Sequence, residues 1–185
     1  MEKFLIEGRR KLAGSVTPSG NKNEALPVLA ATLLTDEPMI LKNVPRIRDV
    51  GVMCSVLERQ GATVEWIDDN TLRICNAGVS GHVLDETLCQ RIRASILFAG
   101  PMVTRHGGVI LPPPGGDVIG RRRIDTHLHV MEHLGAEVKV DKSYQITASR
   151  LVGKDIFLDE ASVTATENAI MAASLAKGTT TLRNA

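Results

Sequence analysis

Hydrophobic residues recur along the chain in two different periods, and each change of period predicts a change of element. Residues 21–34 are apolar nearly all round, which is typical of a buried helix. Residues 49–60 form an amphipathic pattern that predicts a half-exposed helix with Asp49 as its N-cap. Strands are predicted where short apolar or β-branched runs lie between turn signals, at residues 14–17, 39–41, 63–66 and 71–75, the last two as a hairpin around Asp68, Asp69 and Asn70.

The same order of elements returns further along the chain. Residues 57–65 and 131–139 both contain a helix that ends at a glycine, Gly61 or Gly135, with a strand directly after it. Such self-similarity indicates a repeated unit of about 70 residues. The second unit has helices near 94–103 and 125–134 with strands at 109–111, 137–140 and 145–148, and the third has strands at 155–158 and 179–183 around a helix at 164–176. The pattern predicts an α/β (α+β) fold of repeated βαβαββ units, incomplete in its third copy.

Composition and charge exclude several classes of protein. The formal net charge is +1, which argues against a general nucleic-acid or membrane-surface binder. The longest nearly apolar run, residues 25–34, is far shorter than the roughly 20 residues that span a bilayer. Three cysteines without a CxxC pair predict neither a zinc site nor a disulfide framework. We therefore expect a cytoplasmic protein.

One segment, residues 111–127, combines a carboxylic acid with clustered cations. Asp117 lies in a glycine-rich loop just before Arg121, Arg122 and Arg123, which open an apparent helix. An acid flanked by glycine can approach a ligand closely, and guanidinium groups hold phosphate or carboxylate. This combination is suited to proton transfer to an anionic substrate. A solvated surface turn is the alternative interpretation.

Three further segments place polar or basic side chains at predicted helix starts. They are residues 19–23 (Ser-Gly-Asn-Lys-Asn), 93–96 (Arg-Ala-Ser-Ile) and 162–166 (Ser-Val-Thr-Ala-Thr). A lysine beside a helix N-terminus, such as Lys22, favours an anion because free backbone N–H groups point the same way. The alternatives are a solvated lysine and polar residues that only cap their helices.

Taken in this order and spacing, the four segments resemble the N-terminal portion of the enolpyruvyl transferase family, over residues 4–185. The resemblance implies an inside-out α/β barrel with helices buried and sheets outside, in two domains of three units each, with substrates between the domains. On this basis residues 1–20 are predicted to be N-terminal strands that belong with a second domain. Residues 21–185 are predicted to be the first domain, truncated in its third repeat. The missing second half, or another copy of the chain, would then cover the open face.

The resemblance also implies an activity. It is closest to the members that transfer the enolpyruvyl group of phosphoenolpyruvate to the 3-hydroxyl of UDP-N-acetylglucosamine, the first committed step of peptidoglycan synthesis, without a cofactor or a metal. Asp117 would be the general acid, at a position where many members carry the cysteine attacked by fosfomycin. Phosphoenolpyruvate would be held by Lys22, Arg93 and Arg122. The UDP-sugar contacts implied in the same way are Asn23, Arg93, Arg122, Ile124, Asp125, Thr126, His127, Ser162, Val163 and Thr164.

Three departures from the family pattern leave alternatives open. Arg123 stands where proline is more frequent, Thr126 alters the nucleotide segment, and Glu160 stands where relatives often have lysine. A negative charge at Glu160 would weaken diphosphate binding. The alternatives are the shikimate-pathway enolpyruvyl transferase, and a shortened non-catalytic module that binds a nucleotide sugar or pairs with a partner. The Gly-Gly-Asp loop and residues 125–127 favour the nucleotide-sugar enzyme.

Overall fold

The first helix begins at Lys22 because the preceding residue supplies a cap. The backbone of Asn21 is extended, and its side-chain oxygen accepts a hydrogen bond from the Asn23 N–H. The computed structural model describes residues 3–116 and 123–185. Asp117 and Arg122, two of the residues with predicted roles, lie outside these ranges.

The described elements follow the predicted repeat. The first unit contains α1 (Lys22–Ala31), extended by a 3-10 turn (Thr32–Leu34), then β1 (Met39–Leu41), α2 (Arg48–Arg59), β2 (Thr63–Trp66) and β3 (Leu72–Cys75). The second contains α3 (Glu86–Cys89), a 3-10 helix (Arg93–Phe98) that runs directly into α4 (Ala99–His106), β4 (Gly108–Leu111), α5 (Asp125–His133), β5 (Glu137–Val140) and β6 (Tyr144–Thr147). The third contains β7 (Asp155–Phe157), α6 (Val163–Ser174) and β8 (Thr181–Arg183).

Each complete unit forms an antiparallel three-stranded sheet with its last strand in the middle. The orders are β1-β3-β2 and β4-β6-β5, and the third unit contributes the parallel pair β7-β8. The registers of the two complete sheets correspond, because Ile74 faces Met39 and Val64 just as Ile146 faces Val109 and Val138. Both central isoleucines are fully buried. The repeat predicted from the sequence is therefore confirmed in strand pairing.

The core lies among the helices rather than between sheets. Helix α6 packs against α4, α5 and α1, and α1 packs against the 3-10 helix that precedes α4. Three of the five buried positions of α6 are alanine, Ala165, Ala169 and Ala172, so neighbouring helices can approach closely. The outer strand β2 leaves alternate residues exposed, and the outer strand β5 leaves three of its four residues exposed. The inside-out arrangement is thus confirmed, although the described sheets do not close into a barrel.

The crossing of α4 over α6 requires a glycine. A Cβ atom at Gly100 would lie 2.6 Å from the backbone oxygen of Asn168 and 2.8 Å from its Oδ1. The same closeness lets the Gly100 N–H donate a hydrogen bond to Asn168 Oδ1 at 2.8 Å. Gly51, which lies within α2, has open space around its Cα instead.

Two local predictions were wrong. Residues 14–17 do not form a strand; Val16 is 91% exposed, and no described strand pairs with this segment. A strand needs a neighbour for its backbone N–H and C=O groups, so a β-prone sequence alone does not form one. Asp49 is not the N-cap of α2, because the helix begins earlier, with Ile47 at the cap position, and Asp49 lies in the first turn. The assignment of residues 1–20 to a second domain remains a prediction.

Among the described residues, no helix combines the length and the apolar character needed to cross a bilayer.

We predict that Gly100→Ala destabilises the chain although alanine favours helix. The added methyl must displace α4 from α6, and such overpacking costs about 1–3 kcal/mol. Gly51→Ala is the matched control and should stabilise the chain by roughly 0.5–1 kcal/mol, because it meets no neighbour in an exposed part of a helix. Urea denaturation of the two variants measures both effects. Equal stabilisation by both alanines would contradict the crossing described here.

Candidate functional site

Three helix starts lie in mutual contact on one part of the chain. The 3-10 helix begins at Arg93, α5 at Asp125 and α6 at Val163. Arg93 Nη2 donates to the Arg123 carbonyl at 2.9 Å, which joins the first start to the second. Thr164 Oγ1 lies 3.2 Å from His127 Nε2, which joins the second to the third. Helix starts carry backbone N–H groups without intrahelical partners, so their convergence favours an anion.

The start of α6 is capped but accessible. Ser162 has an extended backbone, and its Oγ accepts from the Ala165 N–H at 3.3 Å, as an N-cap does. Val163, directly after it, is 74% exposed. Thr164 is half-buried. Residues 162–164 were predicted either to contact a diphosphate or only to cap the helix. The structure shows the helix cap, and it also leaves this segment open to solvent.

His127 is buried at the centre of this region. Its ring lies 2.9 Å from Asn168 Nδ2 through Nδ1 and reaches Thr164 through Nε2, with 3% of the residue exposed. Burial, with a smaller contribution from the positive charge of Arg93, lowers the pKa of His127 to about 4. The imidazole is therefore neutral at physiological pH.

Asn168 was not predicted as a site residue. It is fully buried in α6, donates from Nδ2 to the Ile96 carbonyl at 2.8 Å, and accepts from the Gly100 N–H through Oδ1. The sequence does contain a signal for this residue. Asn168 is the single amide in residues 168–173, which are otherwise small or apolar. Buried amides are kept only where their donors and acceptors are matched.

The two glycines that precede Asp117 in the sequence are fixed beside Arg93. The N–H groups of Gly115 and Gly116 donate to the carbonyls of Cys89 and Gln90 at 3.1 and 3.2 Å. A Cβ at Gly115 would overlap the Gln90 carbonyl, and Gly116 has a φ of +88°, so both positions require glycine. A Cβ at Gly116 would lie 3.0 Å from the Arg93 nitrogen. Since the Arg123 carbonyl also binds Arg93, both flanks of the segment that carries Asp117 and Arg122 lie against that arginine.

Charged side chains form a rim at the start of α5. Arg123 Nε lies 2.9 Å from Asp125 Oδ2, and Arg123 Nη2 lies 3.2 Å from Asp159 Oδ2. Thr126 is 2% exposed, and its hydroxyl donates to Asp159 Oδ1 at 2.7 Å. That hydrogen bond is the main reason that the pKa of Asp159 is lowered. Two of the predicted nucleotide contacts, Asp125 and Thr126, are thus already engaged within the chain.

Lys22 and Asn23 lie at the start of α1, where Lys22 has an acidic partner. Its Nζ lies 2.9 Å from Asp49 Oδ2, with half of the lysine side chain and a third of the aspartate side chain exposed. Asn21 is the helix cap, as the alternative interpretation of this segment held, and Asn23 is exposed. Helix α1 packs against the 3-10 helix that begins at Arg93 and against α6.

The described residues contain no cluster of three or more His, Cys, Asp or Glu side chains able to hold a metal ion. Burial raises the pKa of Cys54 to about 12 and that of Cys89 to about 11, so neither thiol forms a thiolate at neutral pH.

Comparison with known proteins identifies the class. Residues 6–185 match the family described as EPSP synthase (3-phosphoshikimate 1-carboxyvinyltransferase). The chain therefore belongs to the EPSP synthase family of enolpyruvyl transferases, and the predicted family is confirmed.

The curated proteins that this chain resembles carry a more specific name than the family does. The chain is 54% identical over 182 residues to the UDP-N-acetylglucosamine 1-carboxyvinyltransferase of Bradyrhizobium diazoefficiens, covering 98% of this chain and 42% of that protein. The protein of the same name from Treponema denticola is also 54% identical, over 100% of this chain and 43% of its own length. The chain thus spans less than half the length of the curated relatives it matches.

Solved structures agree with the fold. The enolpyruvyl transferase NikO from Streptomyces tendae superposes with a TM-score of 0.77 at 25% identity, over 95% of this chain and 41% of that one. An EPSP synthase from Acinetobacter baumannii superposes with a TM-score of 0.70 at 14% identity, over 89% of this chain and 39% of that one, and shows the fold alone. The individual roles of the site residues remain predictions.

We predict that His127 makes stability depend on pH. Because its pKa is about 4 in the folded chain and near 6.5 when unfolded, the unfolded chain takes up the proton first as the pH falls. The free energy of unfolding should therefore fall between pH 6.5 and pH 4, by on the order of 3 kcal/mol at most. Urea denaturation across this range checks it.

His127→Gln should remove most of this pH dependence, whereas His133→Gln, on the exposed end of α5, should keep it. A wild-type chain whose stability is flat over that range would contradict the buried neutral imidazole.

Proposed function

We propose that this chain provides part of a UDP-N-acetylglucosamine 1-carboxyvinyltransferase, which transfers the enolpyruvyl group of phosphoenolpyruvate to the sugar 3-hydroxyl. The observation that carries the proposal is the 54% identity to two proteins of that name over nearly the whole chain. The activity would belong to cytoplasmic peptidoglycan synthesis, and so to cell wall growth, cell shape and division.

The chemistry assigns distinct tasks to the predicted residues. The sugar 3-hydroxyl oxygen adds to C2 of phosphoenolpyruvate and gives up its proton to a base, while C3 takes a proton from an acid, which gives a tetrahedral ketal. Loss of phosphate and of a proton from C3 then restores the enol ether. Cations must hold the phosphate and carboxylate, and we assign this to Lys22, Arg93 and Arg122. The position of Arg93 between the flanks of the Asp117 segment supports this assignment.

Asp117 is our candidate for the acid that protonates C3. A free aspartic acid has a pKa of about 3.9, so Asp117 needs a reason to keep its proton at neutral pH. The phosphate and carboxylate of bound phosphoenolpyruvate would supply negative charge beside it and raise its pKa. Glycines at 115 and 116, which permit the tight approach of this loop to Arg93, support a position close to the substrate.

The nucleotide part of the substrate is assigned to the starts of α5 and α6. Residues 124–127 and 162–164 would hold the uracil and diphosphate, Arg93 and Arg122 would contribute charge, and Asn23 would contact the sugar. Arg123 forms an ion pair with Asp159 and also interacts electrostatically with Glu160. This arginine therefore offsets part of the negative charge that would otherwise weaken diphosphate binding.

The open side of the third unit supports a further proposal about what covers it. Phe157, Ile170 and Leu175 are more than half exposed. Apolar side chains of that size at a sheet and helix surface favour burial against more polypeptide. We propose a second domain or a second copy of the chain at this face, with residues 1–20 belonging to the second domain.

A shikimate-pathway transferase and a non-catalytic nucleotide-sugar module remain the competing functions. The description of the matched family names 3-phosphoshikimate, which favours the first of them. The 54% identity to two UDP-N-acetylglucosamine 1-carboxyvinyltransferases outweighs the wording of that family description.

We expect UDP-N-acetylglucosamine to shift the backbone amide NMR signals of residues 124–127 and 162–165, and shikimate 3-phosphate to leave them in place. NMR titration suits this test because it detects weak binding. Arg93→Ala should raise the Kd roughly tenfold or more, as expected for the loss of a charge-assisted hydrogen bond. Arg91→Ala, on the exposed turn two residues earlier, is the matched control and should bind as the wild type does. Shifts with shikimate 3-phosphate alone would favour the competing enzyme.

We expect fosfomycin to leave the wild-type chain unmodified in the presence of UDP-N-acetylglucosamine, because position 117 is a carboxylic acid. The thiols of Cys54 and Cys89 are buried and protonated. Cys75 is partly exposed but lies on β3, apart from the helix starts that form the candidate site. Asp117→Cys should gain one covalent adduct, located at residue 117 by mass spectrometry of peptides. Val118→Cys, one residue later in the sequence, should gain none. An adduct at Asp117 of the wild type, or none in Asp117→Cys, would contradict the proposed position of this residue beside the substrate.

A further inference from the structure

The amide of Asn168 connects four helical segments through three contacts. Its Oδ1 accepts from the Gly100 N–H of α4 at 2.8 Å, and its Nδ2 donates to the Ile96 carbonyl of the 3-10 helix at 2.8 Å. The same nitrogen lies 2.9 Å from Nδ1 of His127 on α5, and Asn168 itself belongs to α6. The residue is fully buried, so these protein groups are what its amide can bind.

The two backbone partners fix the orientation of this amide. A backbone N–H only donates and a backbone carbonyl only accepts, so the amide oxygen must face Gly100 and the NH2 group must face Ile96. The second hydrogen of that NH2 group then points to Nδ1 of His127. Nδ1 must be the acceptor, and it therefore carries no proton.

The ring proton of His127 consequently lies on Nε2. A neutral imidazole has one N–H, and its position is set by the hydrogen bond that the other nitrogen makes. Nε2–H points to Thr164 Oγ1 at 3.2 Å, which makes the hydroxyl oxygen the acceptor. The hydroxyl hydrogen of Thr164 is then directed away from the histidine, at the half-buried first turn of α6 beside exposed Val163.

We propose that Asn168 is a positioning residue: it holds His127 in the Nε2–H tautomer and thereby makes the Thr164 hydroxyl a donor to the diphosphate at the start of α6. The identity of the ligand rests on the proposed function, whereas the tautomer is a property of the chain alone. With the proton on Nδ1, two donors would face each other between His127 and Asn168. Nε2 would then accept from Thr164, and the hydroxyl hydrogen would turn inward, away from the ligand.

Asn168→Asp tests the first step with almost no change of volume. The variant keeps an acceptor for Gly100 but loses the NH2 donor, and a carboxylate beside Nδ1 draws a proton to that nitrogen. In 15N-histidine NMR at pH 7, the wild type should give the signals of a neutral Nε2–H ring at His127, and Asn168→Asp should give a neutral ring with its proton on Nδ1 and none on Nε2. The Kd for UDP-N-acetylglucosamine should rise roughly tenfold, as for the loss of one hydrogen bond to a charged group.

Asn76→Asp is the matched control. Asn76 is also fully buried, in the first unit, and its Nδ2 donates to the Thr32 carbonyl at 2.7 Å. This substitution carries the same cost of a buried carboxyl but should leave both the His127 signals and the Kd unchanged.

Thr164→Val tests the second step and does not disturb the buried amide. It should weaken nucleotide-sugar binding about as much as Asn168→Asp does, while the ring of His127 keeps its Nε2–H tautomer.

The outcomes separate this inference from the proposed function. A wild-type His127 with its proton on Nδ1, or a ring that is unchanged in Asn168→Asp, overturns the positioning role. Unchanged affinity in Thr164→Val, with normal binding by the wild type, overturns the role of the hydroxyl. The expected ring signals without any binding of UDP-N-acetylglucosamine to the wild type overturn the proposed function and support the tautomer alone.

Discussion

The close crossing of α4 and α6 is the constraint on which the candidate site depends. At Gly100 the two helices approach so closely that a methyl group does not fit, and Asn168 fills the polar side of the contact. Because this contact is fully buried, each hydrogen-bonding atom of the amide must find its partner within the protein. The partners it finds belong to the 3-10 helix and to α5, so one backbone approach holds together the helices whose starts form the site.

The charges around the site are held in pairs that an anion can exchange. Lys22 pairs with Asp49, and Arg123 with Asp125 and Asp159, with substantial parts of all these side chains exposed. Exposed ion pairs contribute only about 0–1 kcal/mol each. When a phosphate replaces a carboxylate as the partner of such a cation, the folded chain therefore loses little stability. The buried polar network differs, since breaking any of its hydrogen bonds leaves an unpaired group in the core.

The sequence predicted elements that local patterns determine and missed those that distant contacts determine. Strands β1 and β2 were predicted to the residue, because short apolar runs bounded by turn residues leave little choice of limits. The prediction of a strand at residues 14–17 was wrong because a strand forms only beside a neighbouring strand, which a local sequence pattern does not reveal. Asn168 was missed for a related reason: its partners Ile96 and Gly100 are 72 and 68 residues away in the chain. The pairing of Asp49 with Lys22, 27 residues away, replaced the expected N-cap in the same way.

The repeat explains why site residues with little sequence in common share a structural role. Lys22, Arg93 and Ser162 each stand at the entry to the buried helical segment of their unit, α1, the 3-10 helix with α4, and α6. These segments pack against one another, so the equivalent position of each unit lies at the same central assembly. Each unit then varies one side chain at that position: an ion-paired lysine, an arginine bound to a carbonyl, and a serine that caps its helix. A repeated helix start favours anions in general, and the divergence among units places a different kind of charged or polar side chain at each start.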